Sequence, residues 1–176
     1  MRFILFFFTI ALIGNLYAKT NLYLLPKETK LALNSLLSHI NKAESEIEIA
    51  IYSFTHRSIS KALKNAAARG VKITLFFDHE SNYKNRRSQL GYLAKLKNVT
   101  AYTIKGLKSK NGKYYGKMHM KLITIDQKTI FLGSANWSYS AFGLSYETFF
   151  VSDEKLWIDK TNTYLKEIKT KAKLYF

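Results

Sequence analysis

At 176 residues the chain is long enough for one domain with a buried core and needs no second domain. It has no cysteine, which excludes disulfide cross-links and thiolate metal sites. With 28 Lys and Arg against 12 Asp and Glu, its formal net charge of +16 draws it toward polyanions, whether nucleic acid or an anionic lipid surface, without choosing between them.

Arg2 precedes an apolar run from Phe3 to Gly14, and Leu16-Tyr17-Ala18 puts a small residue ahead of Lys19. This predicts a signal peptide over residues 1–18, although Leu16 is a poor match to the small residue usual two positions before cleavage. One domain over 19–176 would follow, in an exported protein that is periplasmic, held at a membrane or secreted. The competing reading is a retained anchor, but the run is shorter than the roughly 20 apolar residues that cross a bilayer.

Residues 21–25 form a short apolar strand, and Pro26 suits the first turn of a helix carrying Leu31, Leu33, Leu36, Leu37 and Ile40. Glu46 to Phe54 alternates charged and apolar residues before turning apolar, as a strand entering a core does. His56 to Arg69 reads as a helix ended by Gly70, and Val71 to Asp78 as the next strand. This β-α-β-α-β order predicts an α/β fold: a mixed, largely parallel sheet with helices on both faces and active groups at strand ends.

Asn82 to Leu96 reads as a basic helix with Tyr83, Lys84, Arg86 and Arg87 near its start, and Val99 to Ile104 as a strand. Lys105 to Lys117, with three glycines and five lysines, reads as a mobile cationic loop just before the His119 strand. Met118 to Ile125 and Thr129 to Ser134 should pair as a hairpin through Asp126-Gln127-Lys128. Tyr146 to Val151 is a further strand and Lys155 to Lys173 a closing helix. No internal repeat is visible.

The residues that carry chemistry lie in the second half. His119 and Lys121 are two apart, so on a strand they share a face as an imidazole beside a fixed cation, equipment suited to a phosphodiester. Ser134 and Asn136 are likewise two apart and could hydrogen-bond one phosphate. Asp126 lies seven residues beyond His119, over about 20 Å along an extended strand and on the other face, which favours a hairpin-supporting role over direct catalysis. Lys113 and Lys117 could clamp a backbone and Tyr114 and Tyr115 stack on bases, with a weaker case for Arg86 and Arg87. Asp78-His79-Glu80 invites a metal site, but three consecutive residues of an extended segment cannot all face one ion, so neither metal nor cofactor is expected.

The whole string, His119-x-Lys121, four residues, Asp126, six residues, Gly133-Ser134, with Asn136 and Glu147 downstream, resembles the phospholipase D superfamily. Within it the likeness is to small single-motif bacterial endonucleases and their mitochondrial relatives. Tyr52-Ser53-Phe54-Thr55 with Ile59, Ala62 and Leu63 matches the strand-to-helix entry of those nucleases. The resemblance implies a phospholipase D-like fold and a homodimer in which two motifs meet. One His119 would attack phosphorus, its counterpart would protonate the leaving oxygen, and Glu147 would hold the second ring nitrogen. It implies a metal-independent endonuclease acting on nucleic acid, DNA ahead of RNA. The alternative is a lipid phosphodiesterase, with peripheral membrane association as the corresponding partner.

Overall fold

The computed structural model describes residues 18–175, so the expected leader lies outside the described residues apart from Ala18. In chain order the elements are β1 (Thr20–Leu25), α1 (Thr29–Lys42), β2 (Glu46–Ile51), α2 (Arg57–Ala68), β3 (Lys72–Asp78), the one-turn helices α3 (His79–Asn82) and α4 (Leu90–Leu93), and β4 (Val99–Ile104). There follow β5 (Lys121–Ile125), β6 (Thr129–Gly133), the short α5 (Tyr139–Gly143), β7 (Glu147–Ser152), α6 (Lys155–Lys171) and β8 (Lys173–Leu174). Among the described residues no helix is long and apolar enough to cross a membrane.

The eight strands form one sheet in the order β1-β7-β6-β5-β2-β3-β4-β8. Only β2–β3 and β3–β4 are parallel; the other five pairings are antiparallel, so the sheet is mixed but not largely parallel. The β-α-β-α-β start gives the parallel centre. The single-hairpin connection of β5 to β6 and the return of β7 and β1 make the rest antiparallel, because a tight turn can join only antiparallel neighbours.

Alternation along β2 explains the layering. Ile47, Ile49 and Ile51 face α1 and α2 in the main core, with Leu36, Ile40, Leu63, Ile123 and Phe131. Ala50 faces the other way, where Leu165 and Ile168 of α6 pack with Phe76, Met118 and Leu122. Glu48 shares that second face. Burial raises its carboxyl pKa and Glu46 adds to the rise, while Lys166 and Lys169 of α6 oppose it.

Two elements differ from the sequence-based expectation. Of the predicted 82–96 helix only the single turn α4 forms, α3 ending at Asn82, because the short polar side chains between them bond locally in competition with a helical ladder. Ser88 Oγ donates to Asn82 Oδ1 at 2.8 Å, and the Arg87 N–H donates to Asn85 Oδ1 at 2.9 Å. The 105–117 segment is folded back on itself as a hairpin. The Gly106 N–H donates to the Gly116 carbonyl at 2.9 Å, the Gly116 N–H to that of Leu107 at 2.8 Å, and Lys108 bridges Tyr115.

Candidate active site

The site lies where the C-terminal ends of the parallel strands meet the start of β5. His119 and Met120 precede that strand and Lys121 is its first residue, so the His119–Lys121 pair spans the strand's start instead of lying within it. His119 is exposed while Lys121 is only 6% exposed. The Lys121 ammonium sits 3.0 Å from each ring nitrogen of His119 and donates to the His119 carbonyl at 2.8 Å. Burial lowers the lysine's pKa, and the Glu147 carboxylate opposes that shift by favouring the charged form.

Tyr52 completes this pair. Its ring lies 4.5 Å from the imidazole, centroid to centroid, and the Lys121 ammonium stands 5.0 Å over its face. An aromatic face carries negative potential and attracts the ammonium. The backbone fixes the ring's position, since the Tyr52 N–H donates to the Met120 carbonyl at 2.8 Å and buried Asn82 donates to the Tyr52 carbonyl at 2.7 Å. In sequence Tyr52 is marked only by its place in the segment before α2, with no signal of its proximity to His119.

Strand β6 ends at Gly133, so Ser134 and Asn136 sit in the turn beyond it and not on one strand face. Gly133 is needed because β7 crosses closely here: a Cβ would collide with the Thr148 carbonyl and lie 3.1 Å from the Phe149 Cα. The Ser134 hydroxyl donates to Glu147 and accepts the Thr148 N–H at 3.0 Å. Asn136 Oδ1 is buried without a partner among the described residues. The next residue, Trp137, bonds the Ser53 carbonyl through its N–H at 3.0 Å, which brings this turn beside Tyr52.

Glu147 therefore binds Ser134 and acts on the charge of Lys121. Among the described residues no hydrogen bond joins it to His119, the contact that the resemblance implies. Asp126 is at the far end of β5. It accepts from the N–H groups of Glu44 (2.9 Å), Ser45 (2.8 Å) and Glu46 (3.0 Å) and from the Ser45 hydroxyl (2.8 Å). Burial pushes its carboxyl up, and these bonds more than offset that, holding it below the usual carboxylate value. Asp126 and Gln127 both have φ of 52°, the left-handed backbone of a tight hairpin turn, which Asp tolerates. Its role is to staple the turn to the start of β2.

The Asp78-His79-Glu80 run points in three directions. Asp78, 1% exposed, accepts from the Met118 N–H at 3.0 Å and caps α3 through the Ser81 N–H at 2.9 Å. His79 faces Thr103 and stacks on Tyr83. Glu80 pairs with Lys117 at 3.0 Å and lies 3.9 Å from Lys105. Together Asp78 and Glu80 clamp the segment that delivers His119, a role whose only sequence signal was acidic residues at a strand end.

The residues proposed to bind substrate are dispersed. Lys117 and Tyr115 line a groove of about 690 Å³ that opens at His119. Lys113 and Tyr114 are exposed at the hairpin tip outside it. Arg86 lines a separate shallow groove with Tyr83, Lys84 and Lys95, and Arg87 is exposed beside it.

An exposed imidazole backed by a buried ammonium, with a serine–glutamate pair alongside, is suited to attack on a phosphodiester whose charge the lysine offsets. The sequence profile described as cardiolipin synthase, PLD-like domain, matches residues 36–169. The chain thus belongs to the phospholipase D-like family, a class of phosphodiesterases. NucT from Helicobacter pylori superposes with a TM-score of 0.88 at 45% identity, over 90% of this chain and 100% of that one. Nuc from Salmonella typhimurium, a phospholipase D family member, shares the fold, with a TM-score of 0.75 at 24% identity over 90% and 99% of the two chains. Among curated proteins, Phospholipase D of Rickettsia prowazekii is 33% identical over 123 residues, 69% of this chain and 55% of that one. The mitochondrial cardiolipin hydrolase of Mus musculus is 25% identical over 123 residues, 70% and 51% of the two. The chain spans about half the length of the curated relatives it matches.

Proposed function

We propose that the protein is an exported, metal-independent endonuclease, residues 1–18 being its leader, that hydrolyses phosphodiester bonds of nucleic acid, DNA ahead of RNA. The observation that carries this is the exposed His119 imidazole 3.0 Å from the buried Lys121 ammonium. Support comes from the 45% identity to NucT over its full length and from the +16 charge.

In this mechanism the neutral His119 ring attacks phosphorus, a P–N bond forms and the P–O bond to the leaving group breaks. The departing oxygen takes a proton from a second imidazole. Water, giving its proton to that imidazole, then attacks the phosphohistidine and releases a phosphomonoester. Lys121 offsets charge on the non-bridging oxygens throughout. One chain has one such histidine in its motif, so the second comes from a second copy.

A surface suited to that copy adjoins the site. Leu22 (49% exposed) and Leu24 (53%) lie on the α6 side of the edge strand β1. Leu22 pairs with Phe150, which packs on Trp157, and Leu24 with Thr148, the strand partner of Ser134. A Leu22→Lys/Leu24→Lys variant should sediment as a monomer and lose turnover.

A second reading, a phospholipid phosphodiesterase, is favoured by relatives named phospholipase D and cardiolipin hydrolase and by the exposed Leu107, Leu144 and Tyr146. The deciding experiment incubates the protein and His119→Ala with labelled single-stranded DNA, duplex DNA, RNA and cardiolipin vesicles in excess EDTA. EDTA-resistant cutting of nucleic acid that vanishes in the variant is the expected result. Hydrolysis confined to vesicles would put the lipid reading first.

A further inference from the structure

The groove at His119 does not end at the catalytic pair. It passes the ends of β3 and β4 at His79 and Thr103, runs between the 105–117 hairpin and the last turns of α6, and reaches Lys173 on the edge strand β8. From β5 across β2, β3 and β4 to β8 there are four strand spacings, about 19 Å at roughly 4.8 Å each. One wall is a single face of α6: Tyr164, Glu167, Ile168 and Lys171 stand at offsets of three, four and seven residues. Backbone pairing of Lys173 with Thr103 fixes the far edge.

The chemistry of that lining is uneven in charge. Five lysines, at 105, 108, 117, 171 and 173, line the groove against one carboxylate, Glu167. Lys105 and Lys117 are engaged by Glu80, whereas Lys108, Lys171 and Lys173 have no ion-pair partner among the described residues. Unpaired cations in a concave surface focus positive potential and hold phosphates. Two aromatic rings stand among them: Tyr164, 51% exposed, and Tyr115, 44% exposed, with the Lys105 ammonium 5.2 Å from the Tyr115 centroid. Aromatic faces interleaved with lysines suit unpaired bases on a charged backbone.

We propose that this groove is a subsite for the nucleotides on one side of the scissile phosphate, with Tyr164 stacking on a base and Lys171 and Lys173 holding backbone phosphates. The assignment rests on the nuclease reading above. None of these three residues belongs to the His119–Asn136 motif, so they set how strongly a strand is gripped and leave the chemical step to His119 and Lys121.

The test compares two substrates of the full-length protein: a labelled 12-nucleotide single-stranded DNA and bis(4-nitrophenyl) phosphate, a diester with no flanking nucleotides. In Lys171→Ala/Lys173→Ala, kcat/KM on the oligonucleotide should fall and the slope of log kcat/KM against log salt should shrink by about 1.4, two contacts at roughly 0.7 each. Tyr164→Ala should lower oligonucleotide kcat/KM about 5- to 100-fold through KM. Both variants should hydrolyse the small diester at the wild-type rate. Unchanged oligonucleotide kinetics, or equal losses on both substrates, would overturn the subsite while leaving the nuclease reading in place. A wild-type enzyme that hydrolyses the small diester but no nucleic acid overturns that reading and the subsite with it. Loss of cardiolipin-vesicle hydrolysis in the variants, with oligonucleotide cutting unaffected, reassigns the groove to a lipid headgroup.

Discussion

Replacing Asp126 with Asn should weaken the fold and spare the chemistry. The carboxylate takes four hydrogen bonds at 2.8–3.0 Å, three of them on Oδ1 and the Glu44 N–H on Oδ2. An amide oriented to keep Oδ1 in place sets its NH₂ against the Glu44 N–H, so one bond is lost and three lose their charge. Hydrogen bonds to a charged group contribute about 1.5–3 kcal/mol each, and partial exposure screens this one, so the total loss should be about 2 kcal/mol. At roughly 2–4 °C per kcal/mol for a chain of this size, Tm should fall by about 4–8 °C at pH 7. The pKa of this carboxyl is depressed in the fold, so its contribution is complete above the ordinary value of 3.8 and is lost as pH falls through the lower folded value. The Tm gap between wild type and variant should therefore narrow below that pH. Circular-dichroism melts at pH 7 and at more acid pH, with turnover measured alongside at a temperature where both proteins are folded, check this. An Asp126→Asn protein that melts with the wild type yet is inactive would refute the reasoning and return the aspartate to the chemistry.

Gly133→Ala should cost about 1–3 kcal/mol, because β6 and β7 must part to admit the Cβ. It should also lower activity by displacing Ser134, so a melt and an assay that both match wild type would count against the close-approach explanation. Tyr52→Phe should keep near-normal turnover, whereas Tyr52→Leu, which removes the ring facing His119 and Lys121, should reduce kcat about 2- to 30-fold, the kinetic equivalent of a cation–π contact. Burial lowers the Lys121 pKa and Glu147 partly restores it. The alkaline limb of kcat/KM should therefore fall below the ordinary lysine value of 10.5 and move lower still in Glu147→Gln; a limb unmoved by that substitution would exclude the coupling.

Periodicity and spacing alone determined the α/β class, the hairpin turning at Asp126, the helix closed by Gly70 and the pairing of His119 with Lys121. These are local properties, set by which residues fall two or four apart and by which conformations Asp and Gly tolerate. The seven-residue offset also placed Asp126 away from the imidazole, and its four bonds to residues 44–46 supply the reason. Local pattern failed where distant segments compete. The 82–96 stretch has helical composition but spends Asn82 on the Tyr52 carbonyl, 30 residues away, and Ser88 on Asn82. The direction of strand pairing likewise depends on which edge β7 and β1 join, which no local window contains. Only the tertiary structure decided that Tyr52 backs the His119–Lys121 pair, that Asp78 and Glu80 clamp its approach, that Glu147 turns to Ser134, and that Lys171 and Lys173 share a groove with His119 more than 50 residues earlier in the chain. Each is a contact between segments brought together by the sheet, and the partners of a side chain at a strand end are set by the neighbouring strands instead of by its neighbours in sequence.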